Sequence, residues 1–492
     1  MHMTAKLHDI SSTNATPHIA DYSRRCRIIA TMGPASKPYE LIEAGATCFR
    51  LNFSHGSHEE HLERINMIRD AEKEAGRFVP IMADLQGPKI RVGTFEGDGI
   101  ELKYGQTVIL ELGTEPGKDG LIRLPHAEIL KVLQVGDEVK LDDGLLALTI
   151  TEKESDTRLK AHVDCPGFLS ARKGVNIPTR QLPISSMTEK DKRDLKFILQ
   201  QDVDLIALSF VQTAKDVLDA KKIIGDKALV VSKVEKPLAV QHIDEIVEAS
   251  DLIMVARGDL GVELPTEQVP AAQRNIVRSC RKAGKPVIVA TQMLQTMVDS
   301  PTPTRAEASD VATAVYMGAD AVMLSAESAV GRHPATAVAM MDRIIRAVEE
   351  DEFYWEERKV SRKDPIATTS NSLCTAAHDI AKLLKAEAIF AFTASGRTAF
   401  LAARERARTP LYALTPHISV ARRLAMVWGV TPVISPNIGS SPDFDDSDDM
   451  MAWAEDLARD ALGYKKDSQI VMLAGTPFGE VGTTNTLKII AV

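Results

Sequence analysis

The chain has 492 residues, which is long enough for two to four domains with large hydrophobic cores. Its 59 basic and 68 acidic side chains give a net charge of −9, which does not favour nucleic acid as the main partner. The five scattered cysteines lack metal-site spacing, and no apolar run is long enough to cross a bilayer, so we expect a cytoplasmic protein with free thiols.

Residues 1–23 open the chain without the apolar core of a signal peptide, so we predict a disordered lead-in. Eight short, apolar, β-branched runs then predict buried parallel strands. Helical stretches separate them, among them 58–76 and 187–201, the second with Thr188 as its N-cap. This alternation predicts a (β/α)8 TIM barrel. The predicted strands are 26–33, 47–53, 79–87, 204–208, 229–233, 252–256, 287–291 and 321–324.

The pattern changes between the third and fourth predicted strands. Residues 92–183 contain short alternating runs rich in Gly and Thr, and the longest helical stretch among them is 122–133. We therefore predict a small β-barrel inserted into the TIM barrel. The larger barrel would then occupy 24–91 and 184–350.

A second α/β unit follows the charged stretch 351–366, which we interpret as a connector. Its strand-like runs alternate with helices, as is typical of a small doubly wound α/β domain over 367–492. The predicted strands are 388–394, 410–415, 431–435, 469–475 and 486–492.

Polar or charged residues follow nearly every predicted barrel strand. Because a (β/α)8 barrel builds its active site at the carboxyl ends of its strands, we expect these side chains to surround one site. In chain order they are Arg50, Asn52, Ser54, His55, Asp84, Lys89, Arg91, Ser209, Lys233, Glu235, Asp259, Thr291, Gln292, Ser325 and Glu327.

Three of these residues predict a specific chemistry. Glu235 and Asp259 follow adjacent strands, and their hard oxygens suit Mg²⁺ with positions left for water and substrate. Lys233 beside them suits a phosphoryl group, and the turn 257–261 offers backbone N–H groups to a carboxylate or phosphate. The alternative is that the two acids form salt bridges and the lysine is solvated.

Two groups lie outside the barrel strands. Lys173, at the end of the insert, is either a solvated lysine or a ligand. In the C-terminal unit a strand leads through a polar turn into a helix, which predicts an anion site for a phosphorylated metabolite effector. The alternative is an N-cap without a ligand. The residues of this predicted effector site are Thr393, Ser395, Gly396, Arg397 and Thr398, and the turn 474–485 could face them.

Taken together, these residues resemble pyruvate kinase from about Arg24 to the C-terminus. The resemblance implies a catalytic barrel, a β-barrel lid domain inserted in it and a C-terminal regulatory domain, usually in a homotetramer. It also implies that phosphoenolpyruvate phosphorylates ADP to give pyruvate and ATP, the last step of glycolysis. The motifs are TMGPAS (31–36), RLNFSHG (50–56), DLQGPKIRVG (84–93), KGVNIP (173–178), SKVEK (232–236), MVARGDLGVE (254–263), ATQML (290–294) and MLSAES (323–328).

The resemblance also implies roles for residues around the reacting group. Arg50 and Lys233 would hold the transferring phosphoryl group, while Glu235 and Asp259 would bind Mg²⁺, or Mn²⁺ in its place. The substrate carboxylate and the nucleotide would be held by further matching positions. For the carboxylate these are Gly258, Asp259 and Thr291, and for the nucleotide Asn52, His55, Arg91 and Lys173. Positions tied to protonation of the enolate are Thr291, Ser325 and Glu327.

One departure concerns potassium. Family members that require K⁺ carry Glu at the position of Lys89 and typically Thr at that of Leu85. Asn52, Ser54 and Asp84 still match the monovalent-cation pocket, but Leu85 offers no side-chain oxygen. We therefore expect the Lys89 ammonium to replace the cation, so that K⁺ is not required.

Two other functions remain open at this point. A magnesium-dependent aldolase acting on pyruvate or phosphoenolpyruvate also carries an acid pair, but it would not need the lid, Lys173 or the C-terminal domain. A non-catalytic sugar-phosphate-binding protein on a kinase scaffold is the second. The intact set of Lys233, Glu235, Asp259 and Thr291 speaks against it.

Overall fold

A computed structural model describes residues 23–360, 367–436, 447–476 and 484–492. The predicted lead-in therefore lies outside the described residues except for Ser23, and so do positions 361–366 of the predicted connector. No helix in the described ranges is long and apolar enough to cross a membrane.

The strands and helices alternate through most of the chain. The strands are β1 (Arg27–Thr31), β2 (Cys48–Asn52), β3 (Ile81–Asp84), β4 (Gly99–Leu102), β5 (Thr107–Glu111), β6 (Leu121–Arg123), β7 (Glu138–Leu141), β8 (Leu146–Ser155), β9 (Arg158–Cys165), β10 (Gly167–Ser170), β11 (Val175–Asn176), β12 (Leu205–Leu208), β13 (Leu229–Val234), β14 (Leu252–Ala256), β15 (Val287–Ala290), β16 (Ala321–Leu324), β17 (Ala388–Phe392), β18 (Leu411–Thr415), β19 (Val430–Ile434), β20 (Gln469–Ala474) and β21 (Thr486–Ala491).

The helices are α1 (Pro38–Glu43), α2 (His58–Ala75), α3 (Ala127–Val132), α4 (Glu189–Ile198), α5 (Ala214–Ile224), α6 (Pro237–Gln241), α7 (Ile243–Ala249), α8 (Arg257–Glu263), α9 (Val269–Ala283), α10 (Arg305–Met317), α11 (Ala326–Ala329), α12 (Pro334–Glu350), α13 (Glu352–Val360), α14 (Thr369–Leu384), α15 (Arg397–Arg404), α16 (Ile418–Ala425) and α17 (Ser447–Asp456). The 3₁₀ helices Thr266–Gln268 and Gln295–Val298 and the π-helical turn Leu457–Ala461 complete the set in the described ranges.

Eight parallel strands close into a barrel, which confirms the predicted TIM architecture. The strand order around the barrel is β1-β2-β3-β12-β13-β14-β15-β16, and β16 returns to β1 through pairs such as Arg27 with Ala321. Side chains of a strand point alternately inward and outward. Ile29 accordingly belongs to the barrel interior, whereas Ile28 and Ala30 pack under the surrounding helices.

The insert is the small all-β domain that we predicted, and its sheet curls into a half-barrel. Six strands run in the order β11-β7-β8-β9-β5-β6, and β10 pairs with β4 in a separate two-stranded sheet. Closure of a sheet depends on register and stagger, which alternating apolar residues do not specify. The insert still has its own hydrophobic core, which includes Val108, Leu148 and Val163.

The C-terminal domain is a five-stranded sheet in the order β19-β18-β17-β20-β21. The first four strands are parallel, and β21 pairs antiparallel with β20. Hydrophobic clusters cover both faces, one containing Ile389 and the other Phe390. The stretch we interpreted as a connector is helical over Glu352–Val360, because its Tyr354 and Trp355 are buried in contact with each other.

The C-terminal domain packs against the amino ends of the barrel strands. Met426 lies in the cluster that fills the barrel interior. The fully buried Arg27, at the start of β1, donates to the carbonyl of Val427 at 2.9 Å. Arg406 pairs with Asp320 at 2.7 Å, just before β16. The carboxyl ends of the strands therefore remain open for a site.

The Arg406–Asp320 pair gives a test of this packing. Its side chains are 4% and 7% exposed, and the guanidinium lies 4.5 Å from the ring centre of Trp428. Arg406→Met leaves Asp320 buried and unpaired, so we predict that the free energy of unfolding falls by about 3 kcal/mol in urea titrations. The control is Arg408→Met, whose exposed pair with Glu352 contributes less than about 1 kcal/mol. Equal effects of both variants would contradict the prediction.

Candidate active site

A buried carboxylate at the end of β3 organises the site. Asp84 is 1% exposed, and its Oδ2 accepts hydrogen bonds from Arg50 Nε at 2.7 Å and Nη2 at 2.6 Å. Its Oδ1 lies 3.3 Å from Lys233 Nζ. Burial raises the pKa of Asp84, but the charges of Lys233 and Arg50 outweigh burial and lower that pKa below its usual value. Asp84 therefore stays ionised.

Lys233, at the end of β13, is held by three oxygen atoms. Its Nζ donates to Ser209 Oγ at 2.7 Å and lies 2.8 Å from Glu235 Oε1, in addition to its contact with Asp84. Burial lowers the pKa of Lys233, but the carboxylates of Asp84, Glu235 and Asp259 outweigh burial and raise that pKa. The structure thus places a permanent ammonium at the mouth of the barrel.

Glu235 and Asp259 offer oxygens to a cation in different ways. Glu235 is buried, and its Oε2 accepts the Phe210 N–H at 2.8 Å. Burial raises its pKa, Lys233 lowers it and Asp259 raises it, with a net increase. Asp259 is exposed, in the first turn of α8, and makes no ion pair within the described ranges. These two acids fit a divalent cation whose other positions belong to water and substrate.

No group of three or more His, Cys, Asp or Glu side chains with metal-site geometry occurs in the described part of the chain. Glu235 and Asp259 are therefore candidate donors only as a pair. The carboxylates interact unfavourably, because each raises the energy of the other's charge, and a cation between them would remove that repulsion.

A strained turn follows β15 beside the same carboxylates. Thr291 has a φ of +68° and Gln292 a φ of +53°, which are uncommon for residues other than glycine, above all for a β-branched one. Thr291 Oγ1 accepts the Gly258 N–H at 2.7 Å and donates to the Ala290 carbonyl at 2.6 Å. The strain therefore holds the Thr291 hydroxyl against the amino end of α8.

Arg257 braces the Thr291 turn from the other side. Its Nη2 donates to the Thr291 carbonyl at 2.7 Å, and its Nη1 pairs with Asp310 of α10 at 2.7 Å. By position, the N–H groups in the first turn of α8 have no acceptor within the helix. The turn thus brings the N–H groups of the first turn of α8 and the Thr291 hydroxyl side by side, an arrangement suited to a carboxylate ligand once the Gly258 N–H exchanges its bond to Thr291 for one to the ligand.

The two predicted residues after β16 differ in exposure. Glu327 is fully buried, and its oxygens accept the Leu294 N–H at 3.2 Å and the Ser325 N–H at 2.7 Å. Ser325 is partly exposed. Glu327 therefore holds the backbone of two loops in this structure.

The predicted nucleotide residues form two groups. Asn52 Oδ1 accepts the Ser54 N–H at 3.1 Å next to the exposed His55. Arg91 and Lys173 meet at the base of the insert, where the Val92 N–H donates to the Lys173 carbonyl and Arg91 bridges Gly174. The Lys173 ammonium pairs with Asp142 at 2.7 Å.

Lys89 is not bonded to the residues of the predicted cation pocket in the described part of the chain. It is exposed and makes no hydrogen bond or ion pair with any part of the chain that the structure describes. The charges in contact with Asp84 are instead those of Arg50 and Lys233. The Leu85 carbonyl accepts the Ser209 hydroxyl at 2.7 Å, so this oxygen is also in use.

The predicted effector turn forms in the C-terminal domain. Gly396 has a φ of +91°, and its N–H donates to Thr393 Oγ1 at 2.9 Å. Ser395 and Arg397 are exposed, whereas Thr398 is buried with its hydroxyl 2.8 Å from that of Thr484. Thr484 belongs to the turn we expected to face this site, and residues 477–483 of that turn lie outside the described residues.

Three residues at the barrel mouth were not predicted from the sequence. Phe210 has a φ of +64° and orients Glu235 through its N–H, a role that its side-chain type does not reveal. Lys236 and Glu263 form a buried ion pair at 2.5 Å. The sequence features that could have indicated this ion pair are a lysine directly after Glu235 and an acid at the end of the 254–263 motif.

Family models, sequence relatives and a solved structure all match this chain over most of its length. The family described as "Pyruvate kinase, barrel domain" matches residues 23–338, and "Pyruvate kinase, alpha/beta domain" matches 371–490. A pyruvate kinase of Methylorubrum extorquens is 48% identical over 95% of this chain and 97% of its own. That of Geobacillus stearothermophilus is 39% identical over 95% of this chain and 80% of its own. A crystal structure of a pyruvate kinase from Cryptosporidium parvum has a TM-score of 0.88 at 33% identity, covering 96% of this chain and 98% of that one.

The buried Glu327 carboxylate gives a prediction on stability. Glu327→Leu keeps much of the volume but leaves the Leu294 and Ser325 N–H groups without their acceptor. We predict a loss of about 2 kcal/mol or more in the free energy of unfolding, measured by urea titration. The control is Ser325→Ala, which keeps both N–H groups paired and should stay within about 0.5 kcal/mol of the parent. A stable Glu327→Leu protein would show that the carboxylate does not hold these loops.

Proposed function

The chain belongs to the pyruvate kinase family, and we propose which of its residues transfer the phosphoryl group from phosphoenolpyruvate to ADP. As a pyruvate kinase the protein is a phosphotransferase of glycolysis. The observation that carries the proposed site is the convergence of Arg50 and Lys233 on the buried Asp84. Neither the aldolase nor the non-catalytic binding protein is supported by the comparisons.

We assign Arg50 and Lys233 to the transferring phosphoryl group. Phosphoryl transfer needs positioning and charge stabilisation more than covalent chemistry from the protein. Asp84 holds both cations in fixed positions, so little reorganisation is needed when negative charge develops on the phosphoryl oxygens. The raised pKa of Lys233 keeps its ammonium charged at neutral pH.

Glu235 and Asp259 would hold Mg²⁺, with Mn²⁺ as an alternative for the same oxygen donors. When bound, the divalent ion neutralises phosphate charge and acts as a Lewis acid toward the enolate. The protein's part is to present two carboxylates from adjacent strand ends. The Phe210 N–H fixes one oxygen of Glu235, which leaves the other shared with Lys233.

The substrate carboxylate would bind at the amino end of α8. Gly258 and Asp259 supply backbone N–H groups there, and Thr291 supplies a hydroxyl. That hydroxyl now donates to the Ala290 carbonyl and accepts the Gly258 N–H, so rotation of Thr291 toward substrate would release both donors. Thr291 and the partly exposed Ser325 would then lie near the enolate, while Glu327 would position Ser325 through its backbone.

Asn52, His55, Arg91 and Lys173 would line the nucleotide site. The first two lie on the barrel and the last two at the base of the insert, so ADP would bind between them. Closure of the insert as a lid would exclude water that competes for the phosphoryl group. Lys173 would exchange its contact with Asp142 for a nucleotide phosphate.

A homotetramer in the cytoplasm is part of the same proposal. The tetramer rests on the family resemblance and the location on the composition of the chain. Sedimentation velocity at enzyme concentrations near assay conditions would test the tetramer. A single boundary at monomer mass would contradict the tetramer.

Lys233 provides the main test of the phosphoryl-binding site. Lys233→Met keeps the apolar stem and removes the charge, so we predict a fall in kcat of roughly a thousandfold, with a change in KM for phosphoenolpyruvate below about tenfold. The measurement is pyruvate formation with ADP and Mg²⁺, and Lys192→Met on the exposed face of α4 is the control. A loss confined to KM would mean that Lys233 only attracts substrate.

Potassium provides the second test. Because Leu85 offers no side-chain oxygen, its carbonyl already accepts the Ser209 hydroxyl, and Lys89 follows the pocket in the chain with a flexible cationic side chain, we predict that K⁺ activates the enzyme less than about twofold in sodium-free tetramethylammonium buffer. Lys89→Glu should lose activity in that buffer and regain part of it with K⁺, more fully when Leu85→Thr is added. Strong activation of the parent by K⁺ would overturn this prediction.

The effector turn provides the third test. We propose that a phosphorylated metabolite binds at Ser395 and Arg397, and that a coupling free energy links it to substrate affinity. Arg397→Ala should abolish activation by every member of a panel of phosphorylated metabolites while the saturated rate stays nearly unchanged. Arg459→Ala, an exposed arginine of the same domain, is the control. Normal activation of the Arg397→Ala enzyme would place the site elsewhere.

A further inference from the structure

We propose that the buried Lys236–Glu263 ion pair and Asn176 are positioning residues. The ion pair holds Glu235 and Asp259 in place, and Asn176 connects this pair to the insert. The inference rests on the proposed function, because it takes Glu235 and Asp259 as the metal ligands. None of the three positioning residues would touch the metal ion or the substrate.

The ion pair lies next to both ligands in the chain. Lys236 directly follows Glu235, and Glu263 comes four residues after Asp259, on the same side of α8. Lys236 Nζ lies 2.5 Å from Glu263 Oε1, and the two side chains are 4% and 1% exposed. Water therefore does not screen the attraction between these two charges. Loss of either charge would change the electrostatic energy of the neighbouring groups.

Backbone pairing alone does not fix the two ligands. The ladder between β13 and β14 ends at the pair Val234–Val255, before either ligand is reached. The helix that carries Asp259 has only seven residues, which is too short to be stable by itself. The ion pair lies beyond the ladder and joins the carboxyl end of that helix to the segment carrying Glu235.

Lys236 also supports Glu235 through a second contact. Its ammonium lies 4.4 Å from the centre of the Phe210 ring, within the range of a cation–π interaction. Phe210 in turn donates its N–H to Glu235 Oε2 from a backbone with positive φ. Loss of the Lys236 charge would thus loosen the residue that orients one metal ligand and the helix that carries the other.

Asn176 connects this pair to the insert. It lies on β11, and its Nδ2 donates to Glu263 Oε1 at 2.7 Å. The other oxygen, Oε2, is buried and has no hydrogen-bond partner among the described residues. Both contacts therefore share one oxygen, and movement of the insert changes how completely the Glu263 charge is compensated. Such movement would be transmitted to α8 and so to Asp259.

Mn²⁺ binding in the absence of substrates tests the positioning role, with electron paramagnetic resonance as the readout of free Mn²⁺. We expect Lys236→Met to weaken Mn²⁺ binding roughly ten- to hundredfold, as is typical when a residue that orients a metal ligand is lost. The matched control is Lys221→Met, which breaks the Lys221–Asp251 pair at the amino end of β14 and should bind Mn²⁺ as the parent does.

The double variant Lys236→Met/Glu263→Gln separates positioning from stability. It leaves no unpaired buried charge, so its thermal unfolding midpoint should return toward that of the parent. Its Mn²⁺ binding should stay at least tenfold weaker. Binding within twofold of the parent in this variant would overturn the positioning role.

Asn176→Ala tests the connection to the insert. Because this contact matters when the insert closes, we expect kcat to fall about tenfold while KM for phosphoenolpyruvate and Mn²⁺ affinity stay within twofold. Gln106→Ala, another amide of the insert, is the control. A kcat within twofold of the parent would overturn the connection.

Glu235→Gln distinguishes a failure of this inference from a failure of the proposed metal site. If Glu235→Gln binds Mn²⁺ as the parent does, the metal site is wrong and the positioning role falls with it. If Glu235→Gln loses Mn²⁺ but the double variant keeps it, the site stands and only the positioning role is overturned.

Discussion

The active site depends on one buried carboxylate. Asp84 would be costly to ionise in the barrel mouth, because burial disfavours its charge. Arg50 and Lys233 reverse that cost, and their attraction to Asp84 fixes where two positive charges stand. Lys233 in turn contacts Glu235 and Ser209. Asp84 on β3 therefore helps to position side chains at the ends of β13 and β12.

The barrel supports backbone conformations that would be unfavourable elsewhere. Phe210, Thr291 and Gln292 all have positive φ, at a cost of about 1–3 kcal/mol each. Glycine would remove that cost, but it would also remove the Thr291 hydroxyl that holds Gly258 and the Phe210 ring that contacts Lys236. The strained residues therefore keep side chains that the neighbouring segments need, and their conformation follows from packing rather than from local preference.

Much of this fold could be predicted from sequence because its signals are local. Apolar runs located all eight barrel strands, and helix α4 begins after Thr188, whose side chain caps it as predicted. The open edge of the insert and the Lys236–Glu263 pair could not be predicted, since strand register and contacts between distant segments are set by packing in three dimensions. The charged stretch 349–364 indicated only a helix end and a connector, and its charges concealed the separate helix Glu352–Val360 with the buried Tyr354 and Trp355. The site residues themselves were placed at one end of the barrel, but the contacts of Arg50 and Lys233 with Asp84 were not predicted, because they join side chains from three separate strands.

The proposed reaction and the proposed effector site lie at opposite ends of the barrel. The proposed reaction takes place at the carboxyl ends of the strands, whereas the C-terminal domain contacts their amino ends. Gly396 of the effector turn packs against α16, and α16 leads directly into Met426, which lies in the barrel interior. Close-packed interiors transmit displacement because they have few voids to absorb it. A shift of α16 would therefore act on the barrel core from below, so that the same packing that stabilises the interface also provides a physical route from the effector turn to the site.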